Sequence, residues 1–423
     1  MHVCVIGAGV VGLTTAYFLQ AEGHGVTVVD RADCVAAGAS RAPGAQLAYT
    51  NALPWGGATL PARLLSLIPV RDAALKFRPR LDAQEWAWAL AFLRATNTPS
   101  SQANSAALAR LAELSREFIE PLIQGENIAC AFARSGRLII HDDAATFAKA
   151  RVEADYQATR GAHVRALTRE QCLAHEPALA PSAKRIAGGI WIATDAAADC
   201  GAFCDHLATV LAQRGVEFVL NQTIDRFDVA GSQVRALIAS TSSASSNGAP
   251  PLRADAYVLA AGAQSAALAA TAGLRLPISP VKGHSITVKP HDAPLLSVAL
   301  SDMRRRVDFA PLGDRVRIAG YAEIGDEATT ASPDRIGALL IAAREVLGYH
   351  TVDGDLQPSA APGGATPGGV PIIGRTALAN LVLNTGHGAL GWAFAGGSAR
   401  LACDAIAKRG PTIDVTPYAI AGR

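Results

Sequence analysis

Two glycine-rich runs, one near each end of the chain, hold the residue types most able to do chemistry. The first, Gly7-Ala8-Gly9-Val10-Val11-Gly12, fits G-x-G-x-x-G. At this spacing Gly7 permits a turn out of a strand, Gly9 lets backbone approach a pyrophosphate, and Gly12 lets a helix lie close to the sheet. Amides at the helix start, Val10 and Val11 among them, then face phosphates. Asp30 closes the unit, with Arg31 beside it. A carboxylate there accepts hydrogen bonds from a ribose diol and repels a 2′-phosphate, so the pocket suits the adenosine half of FAD or NAD rather than NADP. The second run, Asn384-Thr385-Gly386-His387-Gly388-Ala389-Leu390-Gly391-Trp392, can offer amides to an anionic or electron-rich ring.

Both runs need strand-to-helix frames. Val3-Cys4-Val5-Ile6 is a short apolar strand, and Leu13, Ala16, Tyr17, Leu19 and Gln20 continue at helical spacing. Gly23 and Gly25 end that helix, and Val26-Thr27-Val28-Val29 is the second strand. Far along the chain, Ala256-Tyr257-Val258-Leu259-Ala260-Ala261-Gly262-Ala263 is an apolar run without alternation. Such a run is buried on both faces, as in a parallel sheet, and its small terminal residues leave room for a ligand. The nucleotide domain is therefore completed from remote sequence. A strand at 381–383 precedes the second glycine turn and a helix follows it. The small-residue segment from Gly38 to Leu47 suits backbone laid against a ligand.

Between these parts, helical patterns dominate from Leu60 to Gln124, including Glu85 to Leu93 and a run with Leu108, Leu111, Leu114 and Phe118 on one face. Trp86 and Trp88, with Leu64, Leu65 and Leu67, are expected in a core, the alternative being contact with a membrane surface. Strands are expected at 138–140, 189–192 and 216–220, helices at 147–159 and 199–213. The Ser, Gly and Pro rich loop from Ser240 to Pro251 suits a hairpin tip. From Ile278 to Leu347 the alternation turns to antiparallel β, followed by a helix from Pro333 to Val346.

The 423 residues leave room for two or three domains. Half the residues are hydrophobic and 17% charged, as in a compact enzyme, and the net charge of +2 gives no electrostatic case for nucleic acid. Seven scattered cysteines, an odd number, suggest reduced thiols in a cytoplasmic compartment. Cys200 and Cys204 lack a second pair or a His at ligand spacing, so no metal site is expected. A strand starting at Val3 leaves no space for a signal peptide, and no run of about 18 uninterrupted apolar residues exists. Location in the cytoplasm, or at most peripherally on the inner face of a membrane, follows.

Taken together, the opening G-A-G-V-V-G with Asp30, the Ala261-Gly262 strand end, Pro371-Ile372-Ile373-Gly374 and the 384–392 run resemble the FAD-dependent D-amino-acid oxidase superfamily, in particular its bacterial D-amino-acid dehydrogenase small-subunit type. The loop from Gln46 to Trp55, the 207–220 unit and Val281-Lys282-Gly283-His284-Ser285 match as well. The resemblance implies an α/β fold: a discontinuous Rossmann-like FAD-binding domain (1–52, 190–275 and 366–423) and an α+β substrate domain with a mixed antiparallel sheet (53–189 and 276–365). It carries Gly7, Gly9 and Gly12 to the pyrophosphate, Asp30 to the adenosine ribose and Ser40 to the phosphates. Gln46, with Leu47 beside it, falls near the ring, Ala261-Gly262 near the ribityl side, and Gly386, His387, Gly388, Ala389, Leu390 and Gly391 at the pyrimidine edge. The implied reaction is hydride transfer from the carbon bearing the amine to flavin N5, giving an imine that hydrolyses to a keto acid. Electrons leave to a quinone or to oxygen, and no metal is required.

One departure bears on the substrate. Where the family reads W-x-G-x-R-P-x-T-P-D, its arginine pairing with the substrate carboxylate, this chain has Ser359 to Gly368, with Gly363 in the arginine's place. Losing a charge-assisted pair of that kind costs about 2–5 kcal/mol. Arg305, within Arg304-Arg305-Arg306, aligns with a family tyrosine and is expected to replace the lost guanidinium, the alternative being a solvated strand edge. His284 and Tyr49 are the other substrate-pocket candidates. The leading substrates are a D-amino acid or a cyclic imino acid. Gly363 keeps open an amine or N-substituted amino acid without the usual clamp, and a non-catalytic flavin-bound subunit is a third reading.

Overall fold

The computed structural model describes residues 1–50, 74–78, 82–240, 250–291, 293–350 and 356–420. Leu64, Leu65, Leu67, Trp55 and most of the Ser240 to Pro251 loop lie outside the described residues.

The sheet that carries both glycine turns has six strands in the order Ile372–Arg375, Leu381–Thr385, Ala256–Leu259, His2–Ile6, Gly25–Val29, Glu217–Val219. Only the first pair is antiparallel; the others run parallel, with Val5 opposite Val258 and Val258 opposite Val382. Alternate residues of His2–Ile6 enter different cores. Val3 and Val5 pack with Leu13, Leu108, Leu111, Phe203 and Phe394, whereas Cys4 and Ile6 pack with Tyr257, Phe227, Leu268 and Leu383. Burial on both faces accounts for the unbroken apolar pattern.

The first turn is fixed by close backbone approach. Gly7 has φ +116° and donates its N–H to Val29 O at 2.8 Å. A Cβ on Gly12 would lie 1.9 Å from Gly7 O, so the helix Val10–Ala21 reaches its place only because residue 12 has no side chain.

The second sheet is a roof of nine strands. Eight follow the order Gln357–Ala365, Ser279–Val288, Arg315–Ile324, Val307–Leu312, Ala299–Asp302, Arg137–His141, Gly188–Ile192, Val164–Leu167, and Leu75–Phe77 pairs parallel to Arg315–Ile324. Its outer face buries Leu138, Leu300, Phe309 and Ile318 against the helix Pro333–Leu347. Its inner face looks toward the first sheet. The layers are bound by polar contacts: Arg317 donates to Pro43 O at 3.1 Å and to Asp199 Oδ2 at 3.1 Å, Ser285 Oγ to Ala42 O at 2.6 Å, and Gln46 Nε2 to Leu300 O at 2.9 Å and Phe309 O at 3.1 Å.

Several expectations meet differences here. Leu75–Phe77 interrupts the helical stretch expected from Leu60; three residues are too few to show a period, and the strand exists because the end of Arg315–Ile324 offers it an edge. Gly188–Ile192 belongs to the roof, so the expected domain limit at 190 falls inside that strand. The helix Thr98–Gly125, expected in the substrate domain, packs into the first core along Gly391–Ala407, where Gly396 N donates to Ser115 Oγ at 3.1 Å. Trp88 is buried, with Nε1 donating to Ala365 O at 2.9 Å, but Trp86 is 53% exposed on the opposite side of Ala83–Ala95, contrary to the core placement expected for both.

Gly12→Ala is expected to destabilise the protein by about 1–3 kcal/mol through overpacking and to weaken FAD uptake. Gly125→Ala, where a Cβ meets nothing within 4 Å, is expected to change stability by no more than about 1 kcal/mol and to leave uptake unchanged. Thermal unfolding and flavin absorbance of the two variants check this.

Candidate active site

Between the two sheets lies a cavity of about 1390 Å³, bounded at one end by Asp30 and Arg31, along its length by Gly9, Ser40, Ala261 and Gly262, and at the other end by Gly386 to Gly391 under the roof. That exceeds the ~300–1,000 Å³ usual for one drug-sized ligand, leaving room for a dinucleotide and a small substrate together.

At the first end the groups are held by backbone. Asp30 Oδ2 accepts from Ala8 N at 2.7 Å and Oδ1 from Ala32 N at 2.9 Å, leaving lone pairs for a diol. The helix Val10–Ala21 has neither a capping side chain at Gly9 nor an acidic residue in its first turn; Ser40 Oγ, reaching across from the loop, accepts from Val10 N at 3.0 Å. The positive end of that helix dipole is therefore uncompensated by any carboxylate of its own first turn, which suits an anion. At the other end Gly386 and Gly388 take φ of +82° and +57°, wrapping the turn around His387. Burial lowers the His387 imidazole to about 3, so it is neutral, and its buried Nε2 has no hydrogen-bond partner among the described residues.

Several expected site residues are placed differently. Gly12 does not border the cavity: it packs behind the turn. Leu47 and Tyr49 lie in the first core rather than at a ligand surface, and the buried Tyr49 hydroxyl has no partner. The strand here is only Gln46–Leu47; Gln46 and Ala48 border the cavity, whereas Leu47 and Tyr49 are buried in the first core. Gln46 does border the cavity, but its amide is engaged by the roof. His284 lines the cavity as a buried imidazole, its Nδ1 3.4 Å from Tyr321 O and its Nε2 unpartnered; burial lowers its pKa.

Arg305 does not serve as a free carboxylate anchor. Nη1 donates to Asp302 Oδ2 at 2.7 Å and Nη2 to the Glu345 carboxylate, tying the roof hairpin to the helix Pro333–Leu347. Arg305 borders the cavity with its guanidinium so engaged, and two charged residues that the sequence reading passed over, Arg137 and Asp308, line it as well. Arg137 Nε donates to Asp195 Oδ2 at 2.8 Å and Nη2 to Thr50 O at 2.8 Å, while Asp195 Oδ1 accepts from Tyr49 N and Thr50 N at 3.0 Å each. Arg137 Nη1 makes no hydrogen bond among the described residues. Asp308 accepts from Ser301 Oγ at 2.6 Å through Oδ1, and its Oδ2 makes none among the described residues. Burial raises the Asp308 pKa, an effect that the Ser301 hydroxyl and then the charge of Arg137 oppose. The clue to Asp308 in the sequence is one carboxylate inside the apolar run from Val307 to Ala310. Cys200 and Cys204 are buried thiols on the helix Cys200–Gln213.

This donor set fits FAD on residues of the chain itself: an anion-receptive helix start, a backbone-held acid at one end, and a turn of amides around a neutral imidazole at the other. A profile of the family described as FAD dependent oxidoreductase matches residues 2–405. The chain belongs to the FAD-dependent oxidoreductase family. It is similar to the D-amino acid dehydrogenase of Cereibacter sphaeroides, 36% identical over 432 residues that cover 100% of this chain and 97% of that protein. To D-amino acid dehydrogenase 2 of Pseudomonas aeruginosa it is 37% identical over 424 residues, covering 98% and 97%. Among solved structures, glycine oxidase from Geobacillus kaustophilus has the same fold, with TM-score 0.76 at 20% identity over 100% of this chain and 98% of that one. L-proline dehydrogenase from P. horikoshii matches at TM-score 0.72 and 16% identity, over 99% and 96%. Gly363 lines the cavity of this FAD-dependent oxidoreductase beside the second glycine turn, and a Cβ there would stand an ordinary 3.4 Å from Gly388 O.

Arg305→Ala is expected to leave the affinity for an amino acid within about threefold, the resolution of such comparisons being a few tenths of a kcal/mol. It is also expected to cost about 2–3 kcal/mol of stability by stranding Asp302. Substrate titration beside thermal unfolding separates the two effects. His387 gives a pH signature. Its folded pKa is depressed below the ordinary 6.5, so its contribution is fully present above that value and is lost as pH falls toward about 3. His387→Asn is expected to flatten the fall in unfolding temperature between pH 7 and 5, removing up to about 1.4 kcal/mol per pH unit.

Proposed function

We propose that this FAD-dependent oxidoreductase oxidises the carbon–nitrogen bond of a D-amino acid or cyclic imino acid, giving an imine and then a keto acid, and passes the electrons to a quinone-type acceptor. FAD, when bound, supplies the oxidant, accepting a hydride from the carbon that bears the nitrogen. The chain's own residues do the rest. Asp30, Ser40 and the amides of the first helix hold the dinucleotide end. The amides of Gly386 to Gly391 stand where negative charge develops on the ring, favouring its reduced form. The roof closes the space above and keeps water from the reacting centre. No step asks a protein nucleophile to form a covalent bond, so the demand on the roof is positional: it must fix one face of the substrate and refuse the mirror image.

The observation that carries this reading is a single cavity joining both glycine turns beneath a roof whose strands bring Arg137 and Asp308 to the same space. Amine substrates without a carboxylate would leave Arg137 Nη1 without a ligand group, which favours amino acids over simple amines. Relatives named D-amino acid dehydrogenase support the D stereochemistry and an acceptor other than oxygen. All seven cysteines are free thiols, consistent with a reducing compartment, and no helix among the described residues is long and apolar enough to cross a membrane. We infer a location in the cytoplasm or at the inner face of the membrane.

Anaerobic mixing of the FAD-loaded protein with D-alanine, D-proline, sarcosine, L-alanine and ethylamine tests the assignment. The expected result is bleaching of the flavin band by the D-amino or imino acids alone, and faster reoxidation by a soluble quinone than by air. Bleaching by ethylamine as readily as by D-alanine would contradict it, as would bleaching by none.

A further inference from the structure

Among the charged roof residues that line the cavity, Arg137 and Asp308 stand within strands, whereas Arg304, Arg305 and Arg306 lie in the turn between Ala299–Asp302 and Val307–Leu312. Ser301 stands opposite both Asp308 and Ile139, and Arg137 opposite Ala299, so Arg137, Ile139, Ser301 and Asp308 share one face across three adjacent strands. The alternate residues Leu138, Leu300 and Phe309 turn into the core behind. With strands about 4.8 Å apart and a rise of about 3.3 Å per residue, Arg137 and Asp308 are roughly 12 Å apart at their Cα atoms. Both residues line the same cavity, so one ligand lodged beneath these three strands can meet both.

The two groups are prepared in opposite ways. Arg137 is 8% exposed and immobilised on two sides: Asp195, itself 1% exposed, takes Nε, and Thr50 O takes Nη2. Its charge is balanced by Asp195, and what remains for a ligand is one aimed donor, Nη1. Among the described residues no cation is in hydrogen-bond contact with Asp308. One oxygen is fixed by the Ser301 hydroxyl, and the other is left as an acceptor in a mostly apolar space. A carboxylate so placed destabilises the protein unless something positive comes to it, and an ammonium is the group that does so with most gain. A purely structural acid would have both oxygens satisfied, as Asp195 and Glu176 do.

We propose that Asp308, oriented by Ser301, is the amine-recognising group of the substrate site, and that Arg137, oriented by Asp195, is the carboxylate-recognising one. Together they form a cradle for a zwitterion that takes over the role of the guanidinium replaced by Gly363. This inference rests on the amino-acid oxidation proposed above. It also specifies the substrate class further. The ligand carries an ammonium and a carboxylate close together, and its side chain extends toward small and apolar surface, so a compact neutral amino acid is favoured over one with an acidic side chain, which Asp308 would repel.

The test uses the full-length FAD-loaded protein and two probes, D-alanine and propionate, the second having the carboxylate without the amine. Dissociation constants come from anaerobic stopped-flow reduction for D-alanine and from the flavin difference spectrum for propionate. Asp308→Asn keeps the shape and an oxygen to accept from Ser301. It is expected to weaken D-alanine by about ten- to hundredfold while leaving propionate within about threefold. Ser301→Ala, which loosens the carboxylate without discharging it, is expected to weaken D-alanine less than Asp308→Asn and again to spare propionate. Arg137→Lys, which retains the charge beside Asp195, is expected to weaken both probes. Equal binding of D-alanine by wild type and Asp308→Asn overturns the proposal; so does equal loss of both probes in that variant, or a wild-type protein whose flavin spectrum responds to neither. If D-alanine perturbs the spectrum in an Asp308-dependent way and does not reduce the flavin, the cradle stands and the oxidation reading fails.

Discussion

The structure depends on one parallel pairing. His2–Ile6 lies between Gly25–Val29 and Ala256–Leu259, and Ala256–Leu259 in turn carries Leu381–Thr385 on its far edge. Because all four strands run the same way, their carboxyl ends fall along one rim, and every glycine turn that follows them opens onto that rim. Segments more than 350 residues apart in the chain meet there for no local reason: the bond from Asn384 Nδ2 to Thr15 Oγ1, at 3.0 Å, spans a separation of 369. Removing the apolar surplus on either face of His2–Ile6 would release the pairing and separate the two ends of the site.

The roof adds a second requirement, that its inner face be held at a set distance from the rim. Polar bonds do this rather than a continuous apolar seam. Arg317 and Ser285 reach from the roof to the carbonyls of Pro43 and Ala42, and Gln46 reaches back to the roof carbonyls of Leu300 and Phe309. Arg317 is buried, and burial lowers its pKa despite the charge of Asp199. Such a tie is costly to break on one side. It therefore fixes the spacing that the site needs, while the contents of the space are left mostly apolar and small. Against that background Arg137 and Asp308 stand out at the cavity, Nη1 of the one and Oδ2 of the other making no hydrogen bond among the described residues.

The dinucleotide half was readable because its information is local. Strand, turn, helix, strand and acid occupy Val3 to Asp30 without interruption, and the G-x-G-x-x-G spacing ties each glycine to a steric duty; even there, Gly12 proved to serve helix packing and not ligand contact. The antiparallel alternation from Ile278 was readable for the same reason. The substrate half was not. Arg137 acquires its meaning from Asp195, 58 residues on, and from a backbone carbonyl, neither of which a motif records. The triple arginine drew attention as a charge run, yet its middle member pairs with Asp302 and Glu345. Tyr49, expected in the substrate pocket, is buried in the first core, and a strand of two residues beside it is too short for the sequence to show which side it takes. Trp86 and Trp88 differ in fate because positions two apart on a helix point to different sides.

The central claim is that one dinucleotide spans both glycine turns at once. Hydrogen–deuterium exchange of the protein with and without FAD measures this at the backbone itself. The account predicts simultaneous protection of amides at 7–12, at 38–46 and at 384–391 on binding, with the outer roof face around Pro333–Leu347 unchanged. Protection confined to the N-terminal turn, with 384–391 exchanging as in the free protein, would contradict it.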